Sequence, residues 1–311
     1  MSERYSTSDE LLVNKECLNG LEILKEHNLV FLCPPTDTDE IFNIDTCAAA
    51  EQETCGKYPS SELVTSWSNK VQFDSDGHVT SLDLGGKMLH KGLPCDPQVF
   101  GDQYFSRLQT FSLAGTNLPI AYMVAILPFI QSRIECLYLG GNSLGVNGAE
   151  QISSCLRMFK RLVKLDLRYN DMGAEAMTAI SQALVNTNIQ HLYLEGNNIG
   201  DAGCIALVDF LLKKDNSQIK ELFLGSNQID SSGAKSLASS LWGNKNISKI
   251  YLEGNNIGIN GAKEFCSVLE ELNGKTGLRN LFVDNNNIGK EMSKRLAASL
   301  KSGTTIQDPL V

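Results

Sequence analysis

Apolar and polar residues alternate in a nine-residue pattern that recurs between residues 134 and 286. Each copy has Leu, Ile or Val at positions four and six and ends in asparagine, at Asn142, Asn170, Asn197, Asn227, Asn255 and Asn286. Successive asparagines are 28, 27, 30, 28 and 31 residues apart. Because alternate side chains of a strand face opposite sides, the pattern predicts six short strands whose fourth and sixth positions point into a core.

The segments between these strands have the apolar spacing of helices. Two examples are GAEQISSCL at 148–156 and GAKEFCSVL at 261–269. The residues expected on the buried helix faces are Ile152, Leu156, Leu237, Leu241, Phe265 and Leu269. One strand and one helix cannot bury an apolar face alone, so the units must stack. Because a helix is wider than a strand, we predict a curved α/β solenoid with parallel strands on the concave face and helices on the convex face.

The repeated unit resembles a known class. The LxxLxLxxN core, followed by a tail of the form NxIGxxGAxxLaxxL, is similar to the ribonuclease-inhibitor-like leucine-rich repeats. That subclass includes the repeat regions of NOD-like receptors and the activating protein of the Ran GTPase. The resemblance covers roughly residues 130–302 and implies the horseshoe fold. It also implies binding on the concave face, although members share a scaffold and not a partner.

The regular repeats are predicted over 131–303, within a leucine-rich repeat domain at 71–311. Two irregular repeats precede them at 71–130, where VTSLDLGGK and LQTFSLAGT keep the apolar spacing but lack the final asparagine. Residues 304–311 are predicted to be a short C-terminal cap, since Pro309 falls where a core leucine would lie. Residues 1–70 are predicted to be a cap or linker with a possible amphipathic helix at 8–27, which either covers the first repeat or docks elsewhere.

The outward-facing strand positions carry the candidate binding site. Five of the six residues at position five of the regular repeats are aromatic. An exposed aromatic row favours association, and neighbouring carboxylates suit Arg or Lys of a partner. The candidate partner-binding residues are Tyr138, Asp166, Arg168, His191, Tyr193, Glu195, Phe223, Tyr251, Glu253, Phe282 and Asp284. Two alternatives remain: the row is covered by the N-terminal segment or by a second copy in a homo-oligomer, or it reflects the preference of aromatic residues for strands.

Composition limits the class of partner and the cellular compartment that we expect. The 311 residues have a formal net charge of −9, which argues against nucleic acid and favours a protein with a basic patch. The chain starts without a secretory leader, and its most apolar run, 120–130, is too short to span a membrane. We therefore expect a cytoplasmic protein rather than a secreted one. Of the nine cysteines, Cys204 fits a small buried position. A disulfide-stabilised N-terminal cap remains an alternative, because four cysteines lie in the first third of the chain, at Cys33, Cys47, Cys55 and Cys95.

The sequence contains no motif that indicates catalysis. Phosphate-loop, zincin, hydrolase-elbow and dinucleotide-binding patterns are missing, and His191 is expected to be a surface residue in a polar column. We predict a non-catalytic interaction module without cofactor or metal. Two alternatives are a GTPase regulator that resembles the Ran-activating protein and a structural subunit of a large assembly.

Overall fold

A single ten-stranded sheet organises the molecule in the computed structural model, which describes residues 71–75, 78–86, 89, 97–101, 103–212, 217–299 and 305–307. The strands follow one another in chain order across the sheet. They are β1 Val71–Phe73, β2 Val79–Asp83, β3 Thr110–Ser112, β4 Cys136–Tyr138, β5 Lys164–Asp166, β6 His191–Tyr193, β7 Glu221–Phe223, β8 Lys249–Tyr251, β9 Asn280–Phe282 and β10 Thr305–Gln307. Strands β2 to β10 pair in parallel, whereas β1 pairs antiparallel to β2.

Helices connect the parallel strands and pack against one another on the other side of the sheet. They are α1 Ile120–Ile130, α2 Gly145–Leu156, α3 Gly173–Leu184, α4 Gly200–Leu207, α5 Ser231–Ser240, α6 Gly258–Leu272 and α7 Lys290–Ser299. A π-helical turn, Val208–Leu212, extends α4, and two 3-10 turns, Pro97–Gly101 and Gln103–Phe105, lie between β2 and β3. The predicted α/β leucine-rich repeat solenoid, with strands on the concave face and helices on the convex face, is confirmed. None of the described helices has the length and apolar character that crossing a membrane requires.

The core lies between the sheet and the helices, where the periodicity places it. All residues at positions four and six of the regular repeats are buried, from Leu137 and Leu139 to Leu281 and Val283. The six predicted helix-face residues are buried as well, and Cys204 is fully buried as a small apolar side chain. Burying a leucine side chain completely contributes about 1.5–3 kcal/mol, so neighbouring repeats stabilise one another chiefly through this layer.

A buried ladder of asparagine side chains joins the repeats where the strands end. The Asn197 Oδ1 atom accepts from the backbone N–H of Asn170 at 3.0 Å. Its Nδ2 atom donates to the carbonyl of Leu167 in the preceding repeat and to that of Leu194 in its own repeat, both at 2.9 Å. The pattern repeats from Asn142 to Asn286, whose Oδ1 atom accepts from Ile257 N–H at 3.3 Å. Each asparagine therefore satisfies backbone groups that the turn would leave buried and unpaired.

Several predictions concern residues that the structure does not describe. The cap and possible helix at 1–70, together with Cys33, Cys47, Cys55 and Cys95, lie outside the described residues, as does Pro309. Within the described part of 304–311, β10 pairs with β9 and continues the parallel sheet.

The ladder generates a stability prediction. Asn197→Ala removes one acceptor and one double donor from a fully buried turn, so we expect the free energy of unfolding to fall by about 3 kcal/mol. Urea unfolding followed by circular dichroism measures the loss. The matched control is Asn188→Ala, because Asn188 is exposed and makes one bond to the Lys160 carbonyl. Its cost should stay below about 1 kcal/mol, and equal losses for the two variants would contradict a special role for the ladder.

Candidate functional site

Four aromatic rings form one continuous column on the concave face. They come from position five of β6 to β9, and their side chains point away from the core because positions four and six point into it. Ring centroids are 4.3 Å apart for Tyr193 and Phe223, 4.1 Å for Phe223 and Tyr251, and 4.3 Å for Tyr251 and Phe282. The interplanar angles are 16°, 8° and 4°. The rings thus turn their faces to one another and their edges toward solvent.

This geometry decides which part of each ring a partner can reach. Stacking occupies the ring faces and leaves half-buried edges together with the two tyrosine hydroxyl groups. Desolvation raises the pKa values of Tyr193 and Tyr251 above 10, so both hydroxyls keep their protons at neutral pH and can donate hydrogen bonds. The column therefore presents apolar edges and polar tips, a combination that is common at protein interfaces.

An ion pair ends the column on the side of β5. Asp166 occupies position five there, and its side chain is only 4% exposed. The Arg168 guanidinium binds it in two-pronged fashion, with Nε 3.0 Å from Oδ1 and Nη2 2.8 Å from Oδ2. The guanidinium carbon also lies 5.3 Å from the centroid of the Tyr193 ring. The planar guanidinium group thus takes the place of a fifth ring, and Tyr138 on β4 is separated from the column.

Carboxylates flank the column at position seven. Gly225 separates Glu195 from Glu253: a Cβ atom at Gly225 would lie 3.5 Å from Glu195 Cγ and 3.9 Å from Glu253 Oε2. Desolvation raises the pKa of Glu195; a backbone hydrogen bond and the charge of Arg168 oppose this effect, while the charges of Asp166 and Glu253 add to it. Desolvation also raises the pKa of Glu253, and the charge of Asp284 adds to it. The Glu195 Oε2 atom is buried and has no hydrogen-bond partner among the described residues.

A second polar row lies on the other side of the column, at position three. The Glu221 carboxylate connects two cationic or protonatable neighbours, with Oε2 3.0 Å from His191 Nδ1 and Oε1 2.7 Å from Lys249 Nζ. Burial alone would raise the pKa of Glu221, but the hydrogen bonds from Lys249 and His191 lower it overall. This row is internally paired, which is consistent with His191 as a surface residue in a polar column.

The structure brings most of the predicted site residues together, and an exposed aromatic residue that the sequence analysis does not name follows Arg168 directly. Asp166 is buried and holds Arg168 instead of facing a partner. Tyr169, at position eight, is 63% exposed and has a left-handed backbone with φ of 52°. That conformation costs a bulky residue roughly 1–2 kcal/mol. The missed signal is that this position otherwise holds Gly, Ser or Asn.

The described residues show no cluster for metal chemistry. No group of three or more His, Cys, Asp or Glu side chains among them is arranged to hold a metal ion. The four described cysteines, Cys136, Cys155, Cys204 and Cys266, are free thiols.

Comparison with known proteins identifies the repeats. A family model described as "Leucine Rich repeat" matches residues 162–181, 185–208 and 215–238. The chain is 32% identical over 137 residues to NACHT, LRR and PYD domains-containing protein 3 of Bos taurus, a match that covers 43% of this chain and 13% of that protein. It is 24% identical over 213 residues to the protein phosphatase 1 regulatory subunit 37 homolog of Caenorhabditis elegans, covering 65% of this chain and 22% of that protein.

A solved structure is also similar. The leucine-rich repeat-containing protein LegL7 of Legionella pneumophila matches with a TM-score of 0.38 and 20% identity, over 76% of this chain and 84% of that one. The matched stretches span less than a quarter of the curated relatives named above. These matches agree with the recurring LxxLxLxxN units, the asparagine ladder and the parallel sheet: the chain contains leucine-rich repeats, and their sequence pattern resembles the ribonuclease-inhibitor-like kind.

Proposed function

We propose that the chain is a protein-interaction module that binds a basic segment of another protein on its concave face and catalyses no reaction itself. The binding surface consists of the ring column from Tyr193 to Phe282 and the carboxylates of Glu195, Glu253 and Asp284 beside it. Relatives named as regulatory subunits and as NACHT, LRR and PYD domains-containing proteins support an interaction role of this general kind.

The observation that carries the proposal is the position of two partly buried carboxylates, those of Glu195 and Glu253, beside the ring column on either side of Gly225. Folding raises the pKa values of Glu195 and Glu253 by desolvation, so their charged forms destabilise the folded protein at neutral pH. Glutamine has nearly the same shape and would avoid this cost. Charges held beside exposed ring edges, with Gly225 leaving space between them, are suited to an arriving guanidinium or ammonium group.

The ring column fits both a structural and a binding role. Stacked pairs contribute about 0.5–1.5 kcal/mol each, so replacing the tyrosines would lower stability as well as any affinity. The carboxylates separate the two roles better, because removing their charge should affect stability and binding in opposite directions. The GTPase-regulator and assembly-subunit hypotheses remain predictions, and no contact in the described ranges favours either over partner binding.

A binding experiment tests the proposed surface. Glu195→Gln/Glu253→Gln should capture less of the protein partner from a cell lysate than the wild type does, and capture by the wild type should weaken as salt is raised. The matched control is Glu175→Gln/Glu271→Gln, which changes the net charge equally at exposed sites on or beside α3 and α6. If Glu195→Gln/Glu253→Gln captured as much partner protein as the wild type does, the proposal would be rejected.

The same variant predicts a pH dependence of stability. A carboxylate whose pKa is raised on folding is destabilising when charged, and this penalty disappears below its ordinary value of 4.5. Glu195→Gln/Glu253→Gln should therefore be more stable than the wild type at neutral pH, by about 1 kcal/mol or less after solvent screening. Thermal unfolding at several pH values should show the difference shrinking toward about pH 4. A difference that grows on acidification would contradict the assigned desolvation.

A further inference from the structure

Position eight of each repeat adopts a left-handed backbone that suits small residues. The described regular repeats have positive φ at Gly141, Tyr169, Gly196, Ser226, Gly254 and Asn285. Glycine adopts this region without strain, and asparagine tolerates it better than most residues. Tyr169 is the one aromatic residue with positive φ in the described part of the chain. A residue held in a strained conformation is a candidate for function when stability does not explain it.

The next repeat holds the Tyr169 ring in place without covering it. A Cβ atom at Gly196 would lie 2.4 Å from Cδ1 and 2.6 Å from Cε1 of Tyr169, so only glycine leaves room for the ring there. At 63%, Tyr169 is nevertheless the most exposed large hydrophobic side chain among the described residues. The ring is therefore oriented by its neighbour and open to solvent, as a preorganised contact residue should be.

The charges around Tyr169 favour a cationic contact. Arg168 precedes it and is bound to the buried Asp166 carboxylate, whose opposite charge offsets much of the positive charge of the guanidinium group. The exposed Asp171 follows two residues later, and Glu195 directly precedes Gly196. A guanidinium group can contact an aromatic ring and bind carboxylates through its planar array of N–H groups, which an ammonium group cannot match.

We infer that Tyr169 is a further partner-binding residue, and that its ring contacts an arginine side chain of the basic segment that lies along the ring column. The inference rests on the proposed function and extends the binding surface past the Arg168 end of the column to the rim where the strands end. This binding role explains why a strained tyrosine occupies a position that glycine, serine or asparagine fills in the other regular repeats.

Fluorescence anisotropy with a defined peptide tests this inference. The probe is a fluorescein-labelled peptide of four Gly-Arg-Ser units, and the reference peptide has citrulline in place of arginine, which removes the charge but keeps the shape. Tyr169→Asn, which introduces the residue found at Asn285, should weaken binding of the arginine peptide about tenfold. Its melting temperature should be unchanged or higher, because asparagine relieves the backbone strain. Tyr169→Phe should recover most of the lost affinity, and Trp242→Ala serves as the control for an exposed aromatic residue away from the concave face.

The outcomes separate this inference from the proposed function. Weaker binding by both Tyr169→Asn and Glu195→Gln/Glu253→Gln supports both. Wild-type affinity in Tyr169→Asn, with weaker binding in the carboxylate variant, overturns the role of Tyr169 and leaves the proposed function standing. Equal binding of the arginine and citrulline peptides, or no saturable binding of the arginine peptide to the wild type, overturns the arginine occupant.

Discussion

The hydrogen bonding of one buried asparagine per repeat is the constraint on which the other features depend. Where each strand ends, the chain turns away from the sheet and leaves backbone groups in an apolar layer, and unpaired groups there would cost about 1–3 kcal/mol each. Each asparagine bonds to its own repeat and to a neighbour, so it fixes both the shape of the turn and the register between repeats. Thr116 continues this role in an irregular repeat, where its backbone N–H and hydroxyl group bond to Asn142 Oδ1.

The register between repeats aligns equivalent outward-facing side chains of neighbouring strands into continuous rows. Because Tyr193, Phe223, Tyr251 and Phe282 are direct partners along the sheet, their rings meet face to face instead of scattering. The same alignment places Glu195 and Glu253 on either side of Gly225. The sequence period predicts the core residues. Their alignment between repeats in turn fixes the positions of the outward-facing side chains.

Sequence reasoning reaches the solenoid and the outward-facing rows because both follow from a period of two within a strand and about 28 along the chain. The sequence pattern does not predict how side chains of neighbouring outward-facing rows pack against one another. Asp166 lies in the aromatic row by position, yet its burial depends on Arg168 folding back over it. The raised pKa values of the glutamates depend on desolvation by neighbours. The alternation of apolar residues does not single out Tyr169, because position eight is distinguished by its backbone angle.

The spacing of the rings links the concave face to the curvature of the whole horseshoe. Neighbouring strands in a sheet lie about 4.7–4.9 Å apart, whereas the ring centroids are separated by 4.1–4.3 Å. Rings closer together than their backbones require the sheet to bend toward them. Flattening the solenoid would move the rings apart and weaken their stacking. The stacked column therefore opposes flattening of the sheet along the inner arc. A ligand that fits the bent form would add to this resistance, and one that needs a flatter surface would have to work against it.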